Sequence, residues 1–262
     1  MTVAGATIRA SEEFAPPGPG SFELPPVFAD VTKPMILLTL SVVVIFAVTY
    51  AMARKSAVVP GRLQFAGEYV YGFVRNGIAR DSIGSQDFMR YVPYLFSLFT
   101  FVLLNNYYGI IPFLQFPSFS RASFAYALAG LTWLIYNGAG VAKHGLVGYL
   151  KLQTLPAGVT GPILLLIVPL EFASNILVRP VTLALRLFAN MFAGHLLLIL
   201  FAVGAEYLIF ESGNGLYIPV GILSFVLGIA VSFLEVLILF LQAYVFTLLS
   251  AMYIGSAIAD EH

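Results

Sequence analysis

Residues 183–195 read LALRLFANMFAGH and lie in the middle of the apolar segment that decides the fold. Between Pro162 and Ala205 the only charged side chains are Glu171, Arg179 and Arg186. A guanidinium keeps its charge in a protein, and at the centre of a bilayer it costs roughly 2.5–3.5 kcal/mol on insertion scales. A residue with such a cost indicates function, so we expect Arg186 to hold a fixed positive charge beside a path for ions.

The composition of the whole chain is that of a membrane protein. Of the 262 residues, 60% are hydrophobic and 10% are charged, whereas soluble domains carry roughly 25% charged residues. The formal net charge of +0 gives no indication of a nucleic-acid partner. Because the sequence contains no cysteine, it excludes disulfides, thiolate metal sites and a cysteine nucleophile.

The distribution of basic residues predicts the topology. Residues 1–33 are rich in proline and are expected to form an extracytoplasmic arm rather than a cleavable signal, and residues 34–262 a single polytopic membrane domain. A first span is predicted over about 34–53. The stretch 54–91 that follows holds six of the thirteen basic residues. The positive-inside rule therefore places the N-terminus outside, and this loop and the C-terminus in the cytoplasm.

Within that loop, apolar residues recur at helical spacing over about 61–80, with Gln64, Glu68 and Arg75 between them. This pattern predicts an amphipathic helix at the cytoplasmic interface of the membrane. The alternative is a helix that packs on a soluble partner.

Two further spans are predicted over about 91–112 and 121–142, and two longer apolar segments follow at 161–205 and 216–259. As one helix, each long segment would reach roughly 65 Å, against about 30 Å of hydrocarbon. Each is therefore either a tight pair of spans or one steeply tilted helix. Turn signals are absent around 183–190 and 236–242, which favours tilted helices joined by a turn at 204–216. The predicted fold class is an all-α integral membrane protein with about five membrane-embedded helices, an interfacial helix and a terminal hairpin.

The polar residues of the two long segments fall on matching helix faces. On the first segment they recur at intervals of four and end beside His195; they are Thr182, Arg186, Asn190 and Gly194. On the second segment, Ser232, Glu235 and Gln242 are spaced by three and seven. Antiparallel packing about a midpoint near residue 215 is expected to bring His195 near Glu235, and Arg186 near Gln242.

Each of these residues also has a purely structural interpretation. Arg186 would then pair with Glu171 or Glu235, although an ion pair is a costly way to hold helices together in lipid. Glu235 would be a neutral, hydrogen-bonded acid, and His195 a hydrogen-bonded buried histidine. The shared faces and the antiparallel match favour the functional interpretation for the set as a whole.

The segment 179–195, RPVTLALRLFANMFAGH, resembles the signature of subunit a of the F-type ATP synthase, bacterial type. The run from Glu235 to Gln242 with residues 243–249 is similar to the last helix of that family, and 60–64 with Glu68 is similar to an early family motif. The resemblance covers about residues 34–262.

The resemblance implies a stator subunit beside a rotating ring of c subunits, with two offset half-channels that open to opposite sides. Proton flow through them turns the ring and drives ATP synthesis. In the reverse direction, the complex uses ATP to pump protons. Arg186 matches the essential family arginine, which favours the ionised ring carboxylate and blocks proton leakage. The other matching positions flank this arginine or line the channels; they are Asn190, Gln242, His195, Glu235 and Asn106. Glu171 lies one residue off the usual spacing to Pro180, so its place in either channel is less well defined, and Ala189 replaces a usual glycine.

The resemblance further implies that the chain is not catalytic alone and has no cofactor. The expected partners are the c-ring, b-type peripheral stalk subunits, the rest of the ATP synthase and the lipid bilayer. The expected location is the bacterial plasma membrane, with the mitochondrial inner membrane as the alternative. A stand-alone transporter would be expected to show internal repeats and broken helices, and no repeat is found in the sequence. Copurification with a ring of small proteolipids would distinguish a stator from such a transporter. A soluble enzyme has no support, since no phosphate loop, nucleophile constellation or metal-ligand cluster occurs in the sequence.

Overall fold

The computed structural model describes residues 16–18, 31–54, 61–111, 114, 116–155, 163–213 and 215–259. These residues form a succession of helices and, across those ranges, no β-strand, which confirms the all-α class. The helices are α1 (Lys33–Arg54), α2 (Arg62–Val74), α3 (Asp81–Ile83), α4 (Phe88–Tyr107), α5 (Ala122–Thr154), α6 (Leu164–Phe172), α7 (Arg179–Glu206) and α8 (Ile218–Ile258). Most of the predicted N-terminal arm lies outside the described residues.

Four helical segments are long and apolar enough to cross a membrane; they are Lys33–Arg54, Phe88–Tyr107, Leu164–Glu211 and Gly215–Ile258. They correspond to the predicted segments 34–53, 91–112, 161–205 and 216–259. The helix predicted over 121–142 also forms, as the first part of α5, but it is not among these four segments. Its role as a fifth span stays a prediction.

The two long segments are single helical segments and not pairs of upright spans. α8 runs for 41 residues without a break, which corresponds to roughly 62 Å. The segment Leu164–Glu211 is continuous over 48 residues. It contains α6 and α7, a π-helical turn at Ala173–Val178 between them, and a second π-helical turn at Tyr207–Glu211. Because such lengths exceed the hydrocarbon thickness about twofold, a steep tilt remains the expected arrangement in the membrane.

α5 contains a sharp break close to the predicted end of the span at 142, but the helix that continues after the break was not predicted. Gly145 has φ +72° and ψ 168°, a conformation that residues with a side chain rarely adopt. The second part of α5 consequently folds back on the first, and the hydroxyl of Tyr149 donates to Oδ1 of Asn137 at 2.8 Å. The ring of Tyr149 packs directly on Gly140, where a Cβ would collide with it.

The core lies where the α7–α8 hairpin packs on α4 and α5. Its largest fully buried side chains include Phe99, Tyr136, Leu187 and Phe246. The segment predicted as an interfacial helix over 61–80 is helical as α2 and the π-helical turn Arg75–Arg80. Its end is anchored by fully buried residues such as Ile78, whereas Phe65 and Tyr69 at its start are 61% and 71% exposed. Its position at the membrane interface stays a prediction.

Candidate functional site

α7 and α8 form an antiparallel hairpin whose contacts fix the register of the polar residues. Near the turn, the hydroxyl of Ser224 donates to the carbonyl oxygen of Phe201 at 3.3 Å, and Gly228 also lies against Phe201. Small residues allow this close approach, because a bulky side chain would separate the helix backbones. The helices therefore stay in contact from the turn towards the polar residues of the expected site.

Deeper in the hairpin, the amide of Asn190 donates to Oε1 of Gln242 at 2.6 Å. Gln242 is only 3% exposed, so this hydrogen bond lies largely out of reach of solvent. The sequence predicted Arg186 near Gln242; the hydrogen-bond partner of Gln242 is instead Asn190, one helical turn away. The midpoint of the observed pair lies at residue 216, which agrees with the predicted midpoint near 215.

Glu235 lies about two turns from Gln242 on α8 and is 6% exposed. Its carboxyl group packs against Gly194, where a Cβ would lie 3.0 Å from Oε1. His195 is therefore the next residue along α7 from the point of contact with Glu235, and it is half-buried. Oε2 of Glu235 has no hydrogen-bond partner among the described residues. The hairpin thus holds a buried acid beside a histidine-bearing turn, as the antiparallel match predicted.

Arg186 lies on the exposed face of α7, whereas Leu183 and Leu187 on either side of it are 1% and 0% exposed. Across the described ranges, no carboxylate forms an ion pair with Arg186, so the structural pairing with Glu171 or Glu235 is not formed. Thr182 is also exposed on this face, and its hydroxyl donates to the carbonyl oxygens of Val178 and Arg179 in its own helix.

The exposed face around Arg186 is lined by small side chains. Ala189 and Ala193 are exposed one and two turns away. A surface of small residues beside an arginine lets another helix approach the guanidinium closely. This face can therefore present a positive charge to a partner that is absent from the isolated chain.

Asn106, at the end of α4, is completely buried against the hairpin. Its amide donates to the carbonyl oxygen of Leu239 in α8 at 3.0 Å, between the turns that carry Glu235 and Gln242. Its Oδ1 has no hydrogen-bond partner among the residues that the structure describes. Asn106 thus joins the buried polar layer of Asn190, Glu235 and Gln242.

Glu171 does not belong to this layer. It lies in α6, fifteen residues before Arg186, which corresponds to roughly 22 Å along a helix. Its Oε2 accepts a hydrogen bond of 2.9 Å from the amide of Asn175, which also donates to the carbonyl oxygen of Gln153 at 2.8 Å. Sequence reasoning overlooked Asn175, although its spacing of four from Glu171 is the signal that would have found it.

The π-helical turn Ala173–Val178 shapes the surroundings of Asn175. A wider turn leaves carbonyl oxygens without their usual partners in the helix. Two of these oxygens accept side chains from α5: Trp133 donates to Ile176 at 2.8 Å, and Tyr136 donates to Asn175 at 3.3 Å. The irregular turn is therefore held by specific hydrogen bonds.

A partly open cavity of about 230 Å³ lies between α7 and α8 on the turn side of Glu235. Its lining includes Phe201 and Ala202 of α7 and Gly228 and Ser232 of α8. Along α8 the cavity ends within one turn of Glu235. Nothing in the described parts of the chain forms a group of three or more His, Asp or Glu side chains that would hold a metal ion.

Comparison with known proteins gives a consistent family. The family model described as "ATP synthase A chain" matches residues 35–255. A protein named "ATP synthase subunit a" from Nocardioides sp. is 59% identical, and the match covers 100% of both chains. Proteins of the same name from Arthrobacter sp. and Paenarthrobacter aurescens are 52% and 50% identical, over 96% of each chain. With the long apolar helices, these bacterial relatives indicate a bacterial membrane protein. The chain therefore belongs to the ATP synthase subunit a family, the stator subunits of the proton channel in a proton-translocating complex.

Proposed function

We propose that Arg186 is the fixed charge that separates two half-channels for protons beside a ring of c subunits. The observation that carries this proposal is the exposed position of Arg186, which forms no ion pair with any described residue and lies one helical turn from Asn190 of the buried polar layer. An unpaired guanidinium in a membrane is tolerated where a partner or water reaches it. A carboxylate on each ring subunit would supply that partner in the assembled complex.

The charge of Arg186 gives it two roles. A cation nearby favours the ionised form of a carboxylate, so a protonated ring carboxyl that reaches Arg186 releases its proton. The same cation repels a proton or hydronium ion that would pass directly from one half-channel to the other. The proton then has to travel with the ring, which couples its flow to rotation.

We assign His195 and Glu235 to the half-channel through which protons arrive during synthesis. Both can titrate, and both lie towards the turn at 204–216, which the distribution of basic residues places outside. The cavity of about 230 Å³ lies between that turn and Glu235 and would form part of this path. Asn106, Asn190 and Gln242 continue the polar layer from Glu235 towards Arg186. Thr182 lies on the same exposed face beyond Arg186.

We assign Glu171 to the half-channel through which protons leave. It lies on the opposite side of Arg186 from Glu235, so the two acids belong to different sides of the membrane if α6 and α7 cross it as one segment. Asn175 holds the Glu171 carboxylate by a hydrogen bond and fixes its orientation.

In the cell, the chain would lie in the bacterial plasma membrane with its N-terminus outside and its C-terminus in the cytoplasm. Its partners would be the c-ring, the b-type subunits of the peripheral stalk and the rest of the synthase. The chain would have no catalytic activity alone, because the ATP chemistry takes place on other subunits.

Replacement of Arg186 by alanine tests the proposal. We expect Arg186→Ala to abolish ATP-driven acidification of inverted membrane vesicles while the subunit still inserts and assembles. Arg186→Lys should also perform poorly, because lysine can lose its proton in a low dielectric and lacks the planar guanidinium. Arg54→Ala, the same change at the end of α1, is the matched control and should acidify normally. Normal acidification by Arg186→Ala would show that the assignment is wrong.

A further inference from the structure

The part of α5 after the break at Gly145 packs on the rest of the protein through one side. We call residues 146–154 the fold-back segment. Tyr149 and Gln153 are four residues apart and therefore share one face of the segment, where they are 3% and 6% exposed. Val147 and Lys151 are exposed on its outer side. The position of the segment therefore depends on the contacts of its inner face.

The first part of α5 fixes Tyr149 by its hydroxyl and by its ring. The hydroxyl donates to Oδ1 of Asn137 at 2.8 Å. The amide of Asn137 is itself oriented by a hydrogen bond of 2.7 Å to the carbonyl oxygen of Trp133. The ring packs on Gly140, where a Cβ would collide with it. A side chain at position 140 would therefore push the fold-back segment away.

Further along the same inner face, the backbone of Gln153 reaches the surroundings of Glu171. The carbonyl oxygen of Gln153 accepts a hydrogen bond of 2.8 Å from the amide of Asn175. The same amide donates to Oε2 of Glu171 at 2.9 Å. An amide nitrogen carries two hydrogens, so both of them are used here. A shift of the fold-back segment therefore turns this amide or breaks one of its bonds, and either change moves the hydrogen that holds the carboxylate.

The backbone of Asn175 is held by the first part of α5. Its carbonyl oxygen accepts from the hydroxyl of Tyr136 at 3.3 Å, and the next carbonyl oxygen, of Ile176, accepts from the indole of Trp133 at 2.8 Å. Because the backbone is fixed, the remaining freedom of Asn175 lies in its side chain, which bonds to the fold-back segment. The two parts of α5 together thus determine where the amide points.

We propose that the fold-back segment positions the carboxylate of Glu171 for proton transfer. This inference rests on the proposed function, which assigns Glu171 to the half-channel through which protons leave. Among the described residues, Asn175 alone hydrogen-bonds to this carboxylate. Proton transfer needs partners within hydrogen-bond reach, and a displacement of about 1 Å can cost about 100-fold in rate. Tyr149 and Gly140 are therefore positioning residues, which act on Glu171 through the segment and not by contact.

Thiol labelling of the assembled membrane sector tests whether the segment is docked in this way. The sequence contains no cysteine, so Gln153→Cys gives subunit a a single, buried thiol and leaves the backbone carbonyl in place. In this background, Tyr149→Phe should raise the rate of labelling by a water-soluble maleimide about fivefold, as loss of one hydrogen bond implies. Gly140→Ala should raise it at least as much. Lys151→Cys, on the exposed side, should label rapidly with or without either change.

Gly138→Ala is the matched control for Gly140→Ala. It adds the same methyl group two residues earlier in α5, and no atom lies within 4 Å of a Cβ at that position. It should change neither the labelling of Gln153→Cys nor the rate of vesicle acidification. Equal labelling of Gln153→Cys in the Gly138→Ala and Gly140→Ala backgrounds would show that the segment is not docked on α5, and the proposal would fail.

ATP-driven acidification of inverted vesicles tests whether the segment acts through Glu171. Gly140→Ala should slow acidification about tenfold, as a displacement of about half an ångström implies. Glu171→Gln should also slow it. If the segment positions this carboxylate, Gly140→Ala should lower the rate of Glu171→Gln by no more than about twofold, the margin within which independent effects add. A merely structural change would instead cause the full tenfold loss again.

Asn175→Ala is a second route to the same comparison, because it removes the donor and adds no atom. This variant is needed because a Cβ at Gly140 would also lie 3.0 Å from the carbonyl oxygen of Ala257 in α8. Asn175→Ala should slow acidification about as much as Gly140→Ala and should likewise have little effect on Glu171→Gln. It decides the question where Gly140→Ala does not assemble.

The outcomes separate this inference from the proposed function. Normal acidification by Glu171→Gln would show that the assignment of this acid to the exit half-channel is wrong, and the positioning role would fall with it. A slow Glu171→Gln that loses a further tenfold with Gly140→Ala or Asn175→Ala would leave the half-channel assignment intact. It would show that the fold-back segment does not act through the carboxylate.

Discussion

Gly194→Ala is expected to slow proton translocation, because Gly194 packs against the carboxyl group of Glu235. A methyl group at this position would lie 3.0 Å from Oε1 and 3.4 Å from the carboxyl carbon. Carbon atoms pack best at about 3.5–4.0 Å from their neighbours. The carboxyl group therefore has to move by about 0.5 Å, which changes its position relative to His195 and the cavity on the turn side.

Two opposing effects set the stability of this variant. Alanine is more favourable than glycine in a helix interior by about 0.8–1.0 kcal/mol. A side chain that is pushed away from its rotamer costs about 0.5–1.5 kcal/mol. Because these effects nearly cancel, we expect Gly194→Ala to assemble normally. Proton transfer is more sensitive to position, since a displacement of about 1 Å can cost about 100-fold in rate. A shift of about half that distance therefore predicts a loss of about tenfold.

The assay is ATP-driven acidification of inverted membrane vesicles, normalised to the amount of assembled subunit. Gly204→Ala is the matched control on the same helix, because the nearest atom to its Cβ is Oγ of Ser224 at 4.0 Å. A second change, Glu235→Asp, shortens the acid and should restore part of the rate in the Gly194→Ala background. Equal acidification rates for Gly194→Ala and Gly204→Ala would refute the argument that the carboxyl position matters.

Two further predictions concern the buried polar layer. Glu235→Gln should slow vesicle acidification strongly and His195→Ala less, since water can replace an imidazole but not a titrating acid. The double variant with His195→Glu and Glu235→His should recover part of the lost acidification rate. If it acidifies no faster than the slower single variant, the two residues do not belong to one proton path. In a double-mutant cycle, Asn190→Ala and Gln242→Ala should show a coupling of about 0.6–1.7 kcal/mol in the unfolding of the sector. A coupling near zero would mean that the hydrogen bond is absent from the assembled complex.

The long helices and their register could be predicted from the sequence because both follow from simple geometry. The absence of turn signals in a long apolar run favours one continuous helix over a tight pair of spans, and α8 is continuous for 41 residues. The antiparallel register follows from where the turn lies, and the observed Asn190–Gln242 pair agrees with it to within one turn. The exact partner of Gln242 could not be predicted, because it depends on side-chain length and rotamer rather than on helical period.

The break in α5 and the π-helical turns lay beyond prediction for a different reason. The chain contains 23 glycines, and the sequence around Gly145 does not distinguish it from those inside regular helix. Its positive φ lies at the point where the chain folds back and packs Tyr149 on Gly140. The π-helical turn at Ala173–Val178 likewise depends on donors from α5. Such features are decided by tertiary packing, which a local pattern does not contain.

The interval of four between the polar residues of α7 has a structural consequence of its own. A helix turns by about 100° per residue, so each step of four moves a side chain about 40° around the axis. Arg186 is exposed, whereas Asn190 is half-buried and donates a hydrogen bond to Gln242 of α8. Gly194 packs on the carboxyl group of Glu235. Two steps thus rotate the stripe by about 80°, from the outer face of α7 into the hairpin. The proposed path between a buried acid and an exposed arginine consequently needs no bend in α7, because the helical period alone brings it to the surface.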